Sequence, residues 1–212
     1  MVTAGLAASL LSSLLLTACN QNSEPRRYRE IVLQGGNPNL QRGPLGRFAW
    51  TLPAGWTVQP EGDPMRLTGF WAPDPEFTKK GEADPKPVDV SIVQLAGDAG
   101  GLEANVTRWL GQVTLSPTLA KKAIAEAKPI RTSTGQTGIV VDFTPYLSDD
   151  LTQSKSIIGA ILDGGDNTVF VKAMGARSHV PKVKEQLLEF CRNLAITPLD
   201  KSSDAGKAEG SK

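Results

Sequence analysis

The residue types best suited to covalent chemistry lie early in the chain, where Leu16-Thr17-Ala18-Cys19 closes an apolar run that begins at Gly5. The string matches a bacterial lipobox. Thr17 and Ala18 fit the narrow site of a signal peptidase, and the Cys19 thiol is the group that takes diacylglycerol before becoming a new N-terminus. The run is shorter than the ~20 residues of a membrane-spanning helix, and polar Asn20-Gln21-Asn22-Ser23 follows at once, so a cleaved leader is expected rather than a permanent span. No Lys or Arg precedes Cys19, which departs from the basic start usual in export signals. Asn20 in place of Asp matches the sorting signal for the outer membrane. The expected address is the periplasmic side of a bacterial envelope, with the membrane as first partner through the Cys19 lipid.

Other reactive groups are scarce. With Cys19 acylated, His179 and Cys191 are the sole imidazole and the sole thiol. On one helix, at ~1.5 Å per residue, they would stand about 18 Å apart, too far for a nucleophile and its base. His179 is therefore expected to be an exposed or capping residue and Cys191 a small core residue. One imidazole and one thiol cannot build a zinc site, and no acidic loop has EF-hand spacing, so neither metal nor cofactor is expected. Asp163, Asp166 and Asn167 around Gly164-Gly165 read as a hairpin loop. Gly97-Asp98-Ala99-Gly100-Gly101 lacks the Gly-Lys-Ser/Thr ending of a phosphate loop and reads as a tight turn. Asp89 and Asp142 are the carboxylates an enzyme would use, but at strand positions they are expected to be outward and solvated.

One constellation has the spacing of a recognition surface. At about 100° per residue, Asn105, Arg108 and Gln112 fall within about 60° of one another on a helix, and Trp109 joins this row to the apolar face. Two arrangements are open. The row forms a candidate binding surface on which Arg108 offers a two-pronged fork to a carboxylate, or it bonds internally to Pro53–Trp56 and to Met65-Arg66.

The elements that must position these groups follow from periodicity. Strands are expected at 47–52, 66–72, 88–95, 130–134, 138–144, 156–162 and 168–173, the last two joined by the Asp163–Asn167 loop. Helical spacing predicts a helix over 102–113 and another over 118–127, with Ser116 as cap and Pro117 in first position. A closing helix is expected over 180–194 with Ser178 as cap. Residues 73–87, with four prolines, read as an exposed loop. Strands in clusters separated by helices predict an α+β fold, an antiparallel β-sheet covered by helices. Its organisation is expected to be a leader at 1–18, a flexible tether at 19–45, a single globular domain at 46–199 and a disordered tail at 200–212. Within the tether Tyr28–Leu33 has the composition of a short strand. Lys and Arg total 23 against 22 Asp and Glu, so no net field draws the chain to nucleic acid.

The run Trp50-Thr51-Leu52-Pro53-Ala54-Gly55-Trp56, then Pro64-Met65-Arg66, then Gly100–Trp109, resembles a group of uncharacterised bacterial lipoproteins. Gly159–Leu162, Thr168–Lys172 and Met174-Gly175, followed by a C-terminal helix, resemble the Mog1/PsbP-like fold. The resemblance covers about residues 46–197 and implies an antiparallel sheet between helices. It carries no catalytic residues. The expectation is a non-catalytic binding or assembly factor with an envelope protein as partner; a small-ligand carrier and a carboxylate enzyme are the alternatives.

Overall fold

Alternation along Val88–Ala96 buries Val88, Val90 and Ile92 on one side and sends Asp89, Ser91 and Val93 to the other, the mark of a strand whose two faces meet different surroundings. The computed structural model that contains this strand describes residues 40–42, 48–148 and 153–197. Cys19, the leader, Tyr28–Leu33 and the tail at 200–212 lie outside the described residues.

In chain order the elements are β1 (Leu40–Arg42), β2 (Phe48–Thr51), β3 (Thr57–Val58), β4 (Thr68–Ala72), α1 (Pro75–Lys80), β5 (Val88–Ala96), α2 (Leu102–Gln112) and α3 (Ala120–Ala125). They continue as β6 (Lys128–Arg131), β7 (Thr137–Asp142), β8 (Lys155–Asp163), β9 (Asn167–Ala176), α4 (Lys184–Asn193) and β10 (Ala195–Ile196). Seven strands form one antiparallel sheet in the order β3-β4-β5-β9-β8-β7-β6, and β2 lies between β1 and β10 in a second, small one. The class is α+β, an antiparallel sheet covered by helices, as the clustering of strands implies.

The large sheet has two unlike faces. On the first, Val90, Ile92, Ile158, Ala160, Val169 and Val171 pack with Leu187, Phe190 and Cys191 of α4 and with Phe48 and Trp50 of β2. Rings tighten this layer: Phe190 stands 5.4 Å from Trp56 and 5.3 Å from Phe70, and Trp50 meets Phe70 edge-on at 5.5 Å. On the second face, Val106, Trp109 and Leu110 of α2 and Ala120 and Ala123 of α3 pack on Val141, Ile157, Ile161 and Phe170. Gly159 makes the α2 contact possible. A Cβ there would lie 2.6 Å from Trp109 Cζ3, so the bare backbone of β8 is what lets the indole sit down on the sheet.

Several elements differ from the sequence reading. Leu40–Arg42, inside the stretch read as tether, form β1 and pair with Ala49–Thr51 of β2. The 73–87 stretch contains a helix, because Asp74 accepts a hydrogen bond from Glu76 N at 3.1 Å, Pro75 takes the first helical position and Gly81 closes the turn at φ 69°. Two-residue strands β3 and β10 lack the length for alternation to register. Ser178 is not the cap of the closing helix. His179 precedes a 3-10 turn over Val180–Val183 with no side-chain cap bond, and α4 follows it. Ser116 does cap, accepting from Thr118 N at 3.3 Å.

Phe190 is 1% exposed at the centre of the aromatic layer. Phe190→Ala is expected to lower unfolding free energy by about 3–5 kcal/mol, read as a shift of the urea midpoint.

Candidate functional site: a polar trough on the half-covered face

Register places a row of small and polar residues across the second face. Gly69 of β4, Ser91 of β5, Lys172 of β9 and Gly159 of β8 are successive cross-strand partners. The row beside it begins Trp71, Asp89, Met174. At the Gly159 end the row is roofed by Trp109. At the Gly69 end Gln59 closes in, where a Cβ would meet Gln59 Oε1 at 2.5 Å. Between them the sheet floor is low, and Lys172 rises from it to donate from Nζ to Gln112 Oε1 on α2 at 2.9 Å.

One wall is fixed by an ion pair. Arg66 donates from Nη1 to Asp89 Oδ1 at 2.7 Å and from Nη2 to Oδ2 at 2.8 Å, while Gln59 Nε2 donates to Asp89 Oδ1 at 2.8 Å and to the Phe70 carbonyl at 2.9 Å. Arg66 Nε also reaches Asp63 Oδ2 at 3.2 Å. The loop from Pro60 to Leu67 is thereby held against β4 and β5. The cleft it borders has a volume of about 1040 Å³ and is lined by Val58, Gln59, Asp63, Arg66, Trp71 and Asp89 among others. Burial alone would raise the Asp89 pKa, but the Arg66 and Gln59 hydrogen bonds outweigh it and hold the carboxyl below its ordinary value. The hydrogen bonds to Asp89, helped by the charges of Asp89 and Asp63, raise Arg66 against its partial burial. Burial, reinforced by the charges of Arg66 and Arg108, pulls Lys172 down, with Asp89 opposing.

The four residues of the α2 row divide between two roles. Asn105 is 1% exposed and donates from Nδ2 to the carbonyls of Ala99 at 3.1 Å and Gly101 at 2.7 Å. Trp109 is buried and meets Phe170 edge-on at 5.8 Å. Arg108 and Gln112 are exposed; Arg108 donates to Asn105 Oδ1, and Gln112 accepts from Lys172. The internal bonds of this row therefore run to the 97–101 turn and to β9. They do not run to Pro53–Trp56, where Trp56 Nε1 donates to Gln186 Oε1 at 3.2 Å, nor to Met65-Arg66.

The 97–101 segment spends its backbone donors internally. Gly97 N donates to the Asp166 carbonyl, Ala99 N to Ala96, Gly100 N to Asp98 Oδ1 and Gly101 N to the Asp98 carbonyl, as a tight turn requires. Asp89 and Asp142 are not outward solvated carboxylates. Asp89 is clamped as described, and Asp142 accepts from Thr144 N and Lys184 Nζ, both at 2.9 Å. His179 has a side chain only 17% exposed; its Nδ1 donates to the Lys86 carbonyl at 3.0 Å and lies 3.5 Å from Asp84 Oδ2. Cys191 is buried in the α4 layer, and burial pushes its thiol up to about 12. Among the described residues no group of three or more His, Cys, Asp or Glu could hold a metal ion.

Sequence reasoning missed Gln59, Arg66, Trp71, Ser91 and Lys172 as a group. Apolar exposure was the available signal only in part: Trp71 stands in a strand whose neighbours Phe70 and Ala72 are wholly buried. The pairing of distant strands that joins Lys172 to Ser91 leaves no mark in either local segment.

No family model and no curated protein matches this chain. Solved structures similar to it include two at low sequence identity. One is a crystal structure from Bacteroides thetaiotaomicron VPI-5482, 12% identical with a TM-score of 0.39, covering 71% of this chain. The other is the solution structure of cyanobacterial PsbP (CyanoP) from Synechocystis sp. PCC 6803, 11% identical with a TM-score of 0.42, covering 77% of this chain and 95% of that one. This chain spans 45% of the Bacteroides structure.

Because the folded pKa of Asp89 lies below its unfolded value, its pairing stabilises the fold fully above about pH 4 and is lost as pH falls through the lower folded value. Asp89→Asn is expected to cost about 1–3 kcal/mol near neutrality. That difference from the unaltered protein should shrink steadily below about pH 4 in urea unfolding.

Proposed function

We propose that this protein is a lipid-anchored, non-catalytic binding or assembly factor of a bacterial envelope, tethered through Cys19, with the half-covered face of the large sheet as its working surface. The observation that carries the reading is the company kept by Trp71. Of the four large apolar side chains exposed among the described residues, Val58 at 48%, Met65 at 62% and Trp71 at 40% belong to β3, β4 and the loop joining them. Trp71 is the cross-strand partner of Asp89 and Met65 precedes Arg66, so these two stand beside the clamped pair, while Val58 pairs with Phe70. Clustered apolar exposure beside fixed polar groups is the composition of a recognition site, where aromatic and Arg anchors supply most of the binding energy. Asp89 and Asp142 both serve structural partners, which favours binding over acid–base chemistry. The lipoprotein reading rests on the Leu16–Cys19 string and agrees with a surface that works beside a membrane.

Capture from detergent-solubilised envelopes tests this. The full-length protein is expected to retain a reproducible partner. Trp71→Ala is expected to lose it while keeping its melting temperature, since an exposed substitution changes stability by only about 0.5 kcal/mol. Cys19→Ala is expected to release the chain from the membrane fraction, and mass spectrometry of the unaltered protein should find acyl groups on a chain beginning at Cys19. Equal capture by the Trp71 variant would refute the assigned surface, and an unmodified Cys19 would refute the anchor.

A further inference from the structure

Charge along the cleft beside Trp71 is unbalanced in one direction. Among the described residues its lining carries three carboxylates, Glu61, Asp63 and Asp89, and a single cation, Arg66. That cation is shared: Nη1 and Nη2 donate to Asp89, Nε donates to Asp63 Oδ2, and Nη1 also reaches Gln59 Oε1 at 3.3 Å. One guanidinium cannot neutralise two carboxylates, and Glu61 is exposed with no ion-pair partner among the described residues. Lys172 and Arg108 lie outside the lining and donate to Gln112 Oε1 and Asn105 Oδ1. Asp63 keeps room to accept. Its side chain is 50% exposed, and its oxygens take one bond each, Oδ1 from Met65 N and Oδ2 from Arg66 Nε, whereas a carboxylate offers about four lone-pair sites. Between the carboxylates the lining is apolar, with Pro60, Pro64, Val58 and the exposed Trp71. At about 1040 Å³ the cleft stands at the top of the ~300–1,000 Å³ range of small-molecule pockets and suits a segment of several side chains.

We propose that this cleft receives a basic peptide segment of a partner protein, with arginine guanidinium groups paired to Glu61 and Asp63 at its mouth and an adjoining side chain laid on Trp71. This rests on the reading of Trp71 and its neighbours as a binding surface. The excess of carboxylates selects the cation, and the exposed indole selects what stands next to it. Arginine is favoured over lysine, because its planar fork matches a carboxylate and stacks on an aromatic ring, whereas an ammonium is a strongly hydrated point charge. Arg66 stays on Asp89 and keeps the Pro60–Leu67 wall in place.

The test is selection of a random displayed peptide library on the detergent-solubilised full chain. Enriched peptides are synthesised, with their arginines kept or replaced by lysine, and titrated against the unaltered protein, Glu61→Gln, Asp63→Asn and Trp71→Ala at low and high salt. The expected result is enrichment of Arg next to aromatic or aliphatic residues. Affinity should fall about tenfold in Trp71→Ala and severalfold in Glu61→Gln, in Asp63→Asn, with lysine in place of arginine, and at high salt. Asp63 also holds Arg66, whereas Glu61 is exposed and unpaired, so Glu61→Gln reports on charge even where Asp63→Asn loosens the loop. Neutral or acidic peptides that depend on Trp71 and ignore both carboxylate variants would overturn the proposal and leave the binding surface standing. Peptides indifferent to Trp71 would overturn both. Failure to enrich any peptide would overturn the proposal, while capture of an envelope partner by the unaltered protein and not by Trp71→Ala would still uphold the surface.

Discussion

A seven-stranded sheet is wider than the helices available to cover one of its faces. Six inter-strand spacings of ~4.8 Å give a width of about 29 Å, whereas two helices side by side cover about 20 Å. The first face solves the problem with α4 and the small β1-β2-β10 sheet together. The second has only α2 and the six-residue α3, and they settle over β7, β8, β9 and the far half of β5. Gly159 fixes that choice by admitting the Trp109 ring to the backbone of β8. What is left bare is the β3-β4 margin with the near half of β5, and the trough is this remainder.

A bare sheet face with Asp89 and Lys172 on it would be unstable or sticky unless its polar groups were organised. The Arg66 fork and Gln59 do this by satisfying Asp89 and pinning the loop that follows β3, so the cleft has a fixed wall rather than a loose one. The short β3 limits the exposed edge beyond it, a common means of avoiding unwanted strand pairing. On the other margin of the same end, Asp74 and Asp84 tie the proline-rich segment to His179 and Lys182. That segment is therefore anchored structure and not a loose loop.

Period-two runs made the long strands legible in the sequence, and the α2 stripe was equally plain because Val106, Trp109 and Leu110 recur at helical spacing. Elements whose information is not periodic stayed hidden. β3 and β10 have two residues each, and α1 is specified by one capping aspartate among prolines that otherwise signal a loop. The site was legible by half. Helical geometry placed Arg108 beside Asn105, to whose Oδ1 it donates, but it gave no sign that Asn105 is committed to the 97–101 turn, that Trp109 is seated by Gly159, or that Gln112 answers Lys172 of β9. Asp89 looked like a solvated strand carboxylate because Arg66 reaches it from a loop more than twenty residues away, across a strand pairing that no local pattern encodes.

The uncovered margin is the claim on which the functional account stands, and the indoles report on it directly. With 5-fluorotryptophan incorporated throughout, the four tryptophans give four fluorine resonances assignable by substitution. Trp50, Trp56 and Trp109 are 3–4% exposed and Trp71 is 40% exposed, so Trp71 alone should show a full solvent isotope shift between H2O and D2O. A Trp71 resonance as indifferent to solvent as the other three would mean that the margin is covered, and the trough would not exist as described.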